Sequence, residues 1–146
     1  MIRVLHIDDE APIRLLSRVN LEWQGGIEVI EAADGPTGVR LAKREQPDLI
    51  LLNVNLPGLD GFQVAEELVK DQETRDIPIV FLTARAALRD RGRAFEIGAV
   101  DYITKPFNAF ELAAHLRGLL ERLERGERDE LRSEKISELH ALEDEE

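Results

Sequence analysis

The sequence contains no cysteine, which excludes a disulfide framework and any metal site built from thiolates. It also has no apolar run near the roughly 20 residues that a membrane-spanning helix needs. Its first residues, MIRVLHIDDE, are typical of a strand and not of a signal peptide. We therefore expect a cytoplasmic protein without membrane contact. The 146 residues are enough for one domain with one hydrophobic core.

Positive charge is scarce as well. The chain has 19 lysines and arginines against 30 acidic residues, which gives a formal net charge of −11. Residues 126–146 hold nine acidic and three basic side chains, so about half of the net negative charge lies in this last segment. Because an acidic surface repels phosphate backbones, we expect no direct nucleic-acid binding by this chain.

Short apolar runs alternate with longer amphipathic stretches, and this pattern predicts the fold class. The predicted strands are 2–7, 27–32, 49–52, 77–82 and 102–103, and the predicted helices are 11–24, 36–45, 61–71, 86–97 and 108–124. Such alternation predicts an α/β domain with a parallel sheet and helices on both faces. The run LILL at 49–52 does not alternate with polar residues, which is typical of a central strand buried on both sides.

The C-terminal part of the sequence predicts a helix from Asn108 onward. Four leucines there follow a 4-3-4 spacing, namely Leu112, Leu116, Leu119 and Leu123, before Gly126 interrupts the pattern. We therefore divide the chain into a domain at 1–124 and a charged helical extension or connector at 125–146. The extension is either a fraying, solvated tail or a dimerisation arm, and the sequence leaves both open.

Polar residues follow the predicted strands at the point where each strand ends. Ligands of an open parallel sheet bind at this edge, and the residues found there are Asp8, Asp9, Asn53, Thr83 and Lys105. Carboxylates with other oxygen donors favour Mg²⁺, while a lysine and a threonine hydroxyl can bind phosphate oxygens. The group would stabilise an acyl phosphate at residue 53, but this reaction requires a carboxylate nucleophile, which asparagine lacks.

The segment PDLILLNVNLPGLDGFQVAEEL resembles the central motif of two-component response-regulator receiver domains, the CheY-like family. The acids of IDDE, the threonine of FLTA and the segment YITKPF resemble the other motifs of that family. Their spacing also fits, with 30 residues from position 53 to 83 and 52 from 53 to 105. The resemblance covers residues 1 to about 122. It implies a flavodoxin-like (βα)5 doubly wound sandwich with strand order 2-1-3-4-5 and an extended C-terminal helix, and it implies a signalling protein, not an enzyme.

The resemblance also implies a metal and phosphoryl site. Asp8 and Asp9 would bind Mg²⁺ together with Asn53 and the backbone carbonyl of Asn55. Position 53 would be the phosphoacceptor, and as Asn53 it is inactive. Loss of one anionic ligand would leave only a weak Mg²⁺ site.

The remaining roles follow from the other motifs. Thr83 and Lys105 would bind the phosphoryl oxygens, and Thr83 with Tyr102 would form the switch. The Lys105–Pro106 bond would be cis and would aim the lysine inward. Arg85 and Pro106 are weaker candidates for the site. Thr83 could otherwise be the N-cap of the fourth helix, and Tyr102 a core aromatic residue.

Three functions are compatible with these residues. The first is a receiver phosphorylated by a sensor histidine kinase or a phosphotransfer protein, in which Asn53 replaces a native aspartate and holds the unphosphorylated state. The second is a natural pseudo-receiver that binds partners without phosphorylation, with a possible homodimer through the fifth helix and the C-terminal extension. The third, a flavin-binding protein or an aspartyl-phosphate hydrolase, is disfavoured because Asp8-Asp9-Glu10 repels phosphate where a flavin phosphate would bind.

Overall fold

The computed structural model describes residues 1–145 as a parallel sheet of five strands with six helices. The strands are β1 (Ile2–Ile7), β2 (Ile27–Ala32), β3 (Leu49–Leu52), β4 (Ile79–Thr83) and β5 (Asp101–Thr104). The helices are α1 (Ala11–Trp23), α2 (Gly35–Glu45), α3 (Gly61–Lys70), α4 (Leu88–Ile97), α5 (Ala109–Glu124) and α6 (Arg128–Glu145). All strand pairs are parallel and the order is β2-β1-β3-β4-β5, which confirms the predicted fold.

The predicted and observed elements differ most at β4. The apolar pattern predicts a strand from Ile77, whereas β4 begins at Ile79. The N–H of Ile77 is used in a turn with the carbonyl of Thr74, at 3.1 Å. Pro78 has no N–H to give to a sheet ladder, although its carbonyl accepts a bond from Ile50. The strand therefore starts after the proline.

The hydrophobic core lies on both faces of the sheet, with β3 in the middle. All four residues of β3 are fully buried, as its continuous apolar run predicts. On one face the sheet packs against Phe62, Leu68 and Phe95 of α3 and α4. On the other face it packs against α1 and α5 through Leu21, Leu112, Leu116 and Leu119.

Helix α3 begins directly beneath the carboxyl end of β3. Asp60 caps this helix through a reciprocal pair of hydrogen bonds with Gln63, each 2.9 Å long. The next residue, Gly61, lies so close to β3 that a Cβ atom there would overlap the carbonyl oxygen of Asn53. The start of α3 and the backbone at position 53 are therefore packed directly on one another.

The C-terminal helix is present, but it is not a continuation of α5. The chain turns at Gly126, whose φ of 78° is left-handed and favours glycine, and α6 then runs back across the domain. It packs against α4, and its Leu131 and Leu139 are buried. The spaced leucines Leu112, Leu116 and Leu119 are buried in the chain's own core. This leucine seam therefore packs within the chain, and a homodimer through α5 and the extension stays a prediction.

One helix face stays exposed although it is apolar. Leu15, Val19 and Trp23 follow one another along α1 at intervals of four residues and are 60%, 53% and 86% exposed. Phe110, at the start of α5, is exposed as well. Within residues 1–145, no helix is both long and apolar enough to cross a membrane. The cytoplasmic location stays a prediction.

Candidate functional site

The register of the sheet brings the predicted site residues to one edge. Ile7 of β1 pairs with Leu52 of β3, so Asp8 and Asn53, which follow them, lie side by side. Thr83 ends β4 and pairs with Thr104, which immediately precedes Lys105. The carboxyl ends of four strands thus place these polar groups on the same rim.

Asp8 is the central acid of this rim and is completely buried. Its Oδ2 lies 2.8 Å from the Nζ of Lys105, and its Oδ1 accepts a 2.9 Å bond from the backbone N–H of Glu10. Burial raises the pKa of the Asp8 carboxyl, but its contacts with His6, Lys105 and the Glu10 N–H outweigh burial and lower it. Asp8 is therefore an anion held in place on both oxygens.

Lys105 binds two acids at once. Besides Asp8, its Nζ lies 3.1 Å from the Oε2 of Glu10, a residue that the sequence analysis does not place in the site. The Lys105–Pro106 bond is cis, and Pro106 is exposed at the outer side of the rim. Within residues 1–145, the hydrogen-bond partners of the lysine side chain are thus the two acids after β1, Asp8 and Glu10.

Asn53 lies between the predicted metal ligands. Its Nδ2 donates to the Oδ1 of Asp8 at 3.4 Å and to the backbone carbonyl of Asn55 at 3.2 Å. Its own Oδ1 is buried and has no hydrogen-bond partner among the described residues. The amide nitrogen therefore links the carboxylate of Asp8 to the backbone carbonyl of Asn55.

Asp9 and the side chain of Asn55 lie exposed on the rim. Within residues 1–145, no cluster of three or more His, Cys, Asp or Glu side chains could hold a metal ion. The predicted ligand set contains only two carboxylates, those of Asp8 and Asp9, with a backbone carbonyl and the amide of Asn53. Two carboxylates, a carbonyl and the unpartnered Asn53 Oδ1 still fit a hard, oxygen-binding cation such as Mg²⁺.

The turn after β4 connects the rim to Tyr102. The Oγ1 of Thr83 accepts a 3.3 Å bond from the backbone N–H of Arg85, and α4 begins only at Leu88, so Thr83 is not its N-cap. The hydroxyl of Tyr102 donates to the carbonyl of Arg85 at 2.5 Å, and burial raises its pKa to about 12. The Arg85 side chain pairs with Asp90 at 3.0 Å and reaches the Oδ1 of Asn55 at 3.5 Å.

His6 is a further buried group behind the site. Its Nδ1 lies 2.6 Å from the Oγ of Ser17, and its Nε2 lies 3.7 Å from the Oδ2 of Asp8. The period of two in β1 signals this contact, because residues 6 and 8 project to the same face of a strand.

Comparisons with known proteins agree with this geometry. The response regulator receiver domain family matches residues 4–117. A protein of a Synechocystis species named "DNA-binding dual master transcriptional regulator RpaA" is 46% identical over 125 residues, which are 86% of this chain and 52% of that protein. The phosphate regulon transcriptional regulatory protein PhoB of Escherichia coli is 46% identical over 83% of this chain and 52% of its own length. The chain thus spans about half the length of these relatives.

Solved structures with the same fold include a CheY-like response regulator receiver domain protein from Methanospirillum hungatei. It has a TM-score of 0.79 and 27% identity, and the match covers 86% of this chain and 98% of that one. A response regulator from Desulfuromonas acetoxidans has a TM-score of 0.73 and 28% identity, with 84% and 99% covered.

The relatives correct one expectation from the sequence. Its acidic charge led us to expect no direct nucleic-acid binding, but the Synechocystis relative is named a DNA-binding transcriptional regulator. The net charge describes only the surface of this chain, and this chain corresponds to about half of each regulator. Charge in one region does not report what the rest of such a protein binds.

Proposed function

Since the chain belongs to the response regulator receiver domain family of two-component phosphorelay signalling, we propose that it is a receiver held in the unphosphorylated state by Asn53. The observation that carries this proposal is the amide of Asn53, bonded to Asp8 and to the carbonyl of Asn55 inside an otherwise complete pocket. As receiver domains are signalling proteins, the chain is not an enzyme. Neither a flavin-binding protein nor a hydrolase is therefore proposed.

The chemistry of residue 53 accounts for the trapped state. Phosphoryl transfer from a histidine kinase or phosphotransfer protein needs an aspartate carboxylate that attacks phosphorus and keeps the phosphoryl group as an acyl phosphate. An amide has nearly the same shape but offers no anionic oxygen. Asn53 therefore preserves the pocket and prevents the reaction.

We propose that Asp8, Asp9, the carbonyl of Asn55 and the Oδ1 of Asn53 hold Mg²⁺, after a rotation of the amide that turns its oxygen inward. When bound, Mg²⁺ supplies positive charge that neutralises phosphoryl oxygens. In this arrangement Thr83 donates its hydroxyl to a phosphoryl oxygen and Lys105 supplies a second positive charge. The neutral amide weakens the site relative to a carboxylate.

The rim turn supports a second set of proposed roles. Thr83 and Tyr102 form the switch, since the carbonyl of Arg85 accepts from Tyr102 while its N–H donates to Thr83. Arg85 reaches Asn55 at the mouth of the pocket, and Pro106 fixes the turn that carries Lys105. The proposed boundaries are a receiver domain at 1–124 and an extension at 125–146.

The test is the Asn53→Asp variant incubated with acetyl phosphate and Mg²⁺. We expect intact-protein mass spectrometry to show the gain of one phosphoryl group, and none in the chain that carries Asn53. The matched control is the Asn53→Asp, Asp8→Asn double variant, which keeps the acceptor but removes a metal ligand and should react far more slowly. No mass gain in Asn53→Asp would refute the trapped-receiver proposal.

A natural pseudo-receiver is the second candidate function. It is favoured by the same amide, because Asn53 bonds both Asp8 and Asn55 and keeps the pocket closed without a metal. The codon for residue 53 in the source genome separates the two proposals. An aspartate codon excludes the pseudo-receiver, and an asparagine codon excludes an introduced substitution.

We also propose that the output of the signal is control of transcription. The support comes from the relatives, which are named transcriptional regulators and match this chain over about half of their length. In this proposal the matched half receives the signal and the unmatched half of such a regulator contacts DNA.

A further inference from the structure

Helix α6 lies across the open edge of the sheet. β5 is the last strand in the order, so one side of its backbone has no neighbouring strand. α6 spans this edge, because Leu131 joins the core on the α1–α5 face while Leu139 joins the core on the α3–α4 face. Covering an edge strand is by itself an ordinary protective role. Two further observations indicate more than protection.

The first observation is how narrow the attachment of α6 is. Only Leu131 and Leu139 are buried, while Lys135 and Ile136 between them are half-buried, and most of the other side chains of 128–143 are exposed. The polar contacts are few. The Nζ of Lys135 lies 3.4 Å from the Oδ1 of Asp101, and Glu134 pairs with Arg122 at 2.8 Å. An element with so few buried contacts opens at low free energy relative to the core.

The second observation is that Tyr102 lies between α6 and the rim of the pocket. It lines a small crevice between α4 and α6, together with Phe95 of α4 and with Lys135, Leu139 and Leu142 of α6. Its hydroxyl donates to the carbonyl of Arg85, in the turn that follows Thr83. One side chain thus connects the pocket turn to the buried stripe of α6.

We propose that α6 is a displaceable cover over α4 and the β5 edge, and that a phosphoryl group in the pocket weakens its docking through Tyr102. This inference rests on the proposed receiver function. A phosphoryl oxygen takes the hydroxyl of Thr83, so the turn at Arg85 moves toward the pocket and its carbonyl leaves Tyr102. The ring then changes position beneath Leu139. The released helix uncovers the surface of α4 and the edge of β5.

The coupling is reciprocal, because two linked equilibria shift one another by the same factor. If a filled pocket loosens α6, then a loosened α6 favours the filled pocket. Truncation of Leu139 therefore opens the cover without any phosphoryl group, and it stabilises the phosphorylated state. Truncation of Leu15, which is 60% exposed on α1 and away from the crevice, serves as the matched control.

The experiment is hydrogen–deuterium exchange with mass spectrometry on the 146-residue chain carrying Asn53→Asp, before and after phosphorylation by acetyl phosphate with Mg²⁺. We expect exchange across 128–143 to accelerate about tenfold on phosphorylation, while β3 stays protected. Phosphoryl uptake with unchanged exchange in α6 overturns the coupling and leaves the receiver function standing. No uptake overturns both proposals.

Three variants in the same background test the route. Leu139→Ala should raise exchange in 128–143 without phosphorylation, and the control Leu15→Ala should not. Tyr102→Phe keeps the ring but removes the donor to Arg85, so phosphorylation should change α6 exchange less than threefold in that variant, normalised to its phosphorylated fraction. A full tenfold response in Tyr102→Phe excludes Tyr102 as the connection.

Discussion

The acidic pocket and the α6 cover are built in opposite ways. The pocket consists of buried polar groups from strands that are distant in sequence, and the sheet register fixes their positions. The cover is a single local helix held by two buried leucines and a few ion pairs. The comparison teaches that the geometry of the pocket depends on the long-range register of the sheet, whereas the attachment of α6 depends on a few side chains of one helix.

The largest effect is expected where the pocket is packed most closely. Gly61→Ala places a Cβ against the carbonyl oxygen of Asn53, so either α3 or β3 must shift. We expect a loss of about 3 kcal/mol or more in the free energy of unfolding, measured by urea denaturation. Gly92→Ala in α4 is the control, because a Cβ there meets open space and should stabilise by about 0.5–1 kcal/mol. Equal effects at the two glycines would contradict the close packing of the pocket.

The next effect concerns the charge inside the pocket. Lys105→Met removes the cation 2.8 Å from the buried carboxylate of Asp8, while the bonds from Glu10 and Asn53 remain. We expect a loss of about 2–3 kcal/mol in unfolding free energy at neutral pH. The same substitution at Lys43, whose pair with Asp71 is solvent-exposed, should cause no comparable loss. A similar loss at both lysines would show that the buried pair has no special role.

A smaller effect is expected in the cover. Leu139→Ala removes one of its two buried leucines, and we expect a loss of about 2 kcal/mol, at the low end for a buried leucine because the site lies near the surface. The control Leu15→Ala, on an exposed position of α1, should stay within about 0.5 kcal/mol of the parent chain. Thermal unfolding followed by circular dichroism measures both. If Leu139→Ala matches Leu15→Ala, the packing of Leu139 contributes nothing to stability.

The smallest effect is a pH dependence at the junction of cover and sheet. Burial raises the pKa of Asp101, but the bond to His115 and the charge of Lys135 outweigh it, so the folded-state pKa lies below the usual value. A depressed pKa gives stability that is present above about pH 4 and is lost as pH falls below it. Asp101→Asn should therefore make the free energy of unfolding less sensitive to acid. Urea midpoints at about pH 7 and pH 3 provide the measurement, and unchanged acid sensitivity would exclude this role for Asp101.

The sequence predicts the sheet and the positions of the site residues well, for a physical reason. Strand length, alternation and helix caps are local signals, and β1, β2 and β3 have the predicted bounds. The end of each parallel strand lies at one edge, so the proximity of Asp8, Asn53 and Lys105 follows from the topology.

What the sequence does not predict depends on side-chain choices between distant elements. Lys105 contacts Glu10 as well as Asp8, and this pairing depends on the rotamer of a long side chain. The sequence also does not predict that α6 packs back onto the domain. Two leucines among many charged residues, here Leu131 and Leu139, are equally compatible with a solvated tail. Only Gly126 marked the place where the helix direction changes.

The exposed stripe on α1 has an optical consequence. Trp23 is the only tryptophan in the chain, and it is 86% exposed in the folded state. The indole is surrounded by water in both the folded and the unfolded chain, so its fluorescence changes little on unfolding and is a poor monitor of folding. Any molecule that settles on α1 transfers the indole to an apolar surrounding and shifts the emission to shorter wavelength. The native chain thus carries a built-in fluorophore for contacts on that helix, with no label needed.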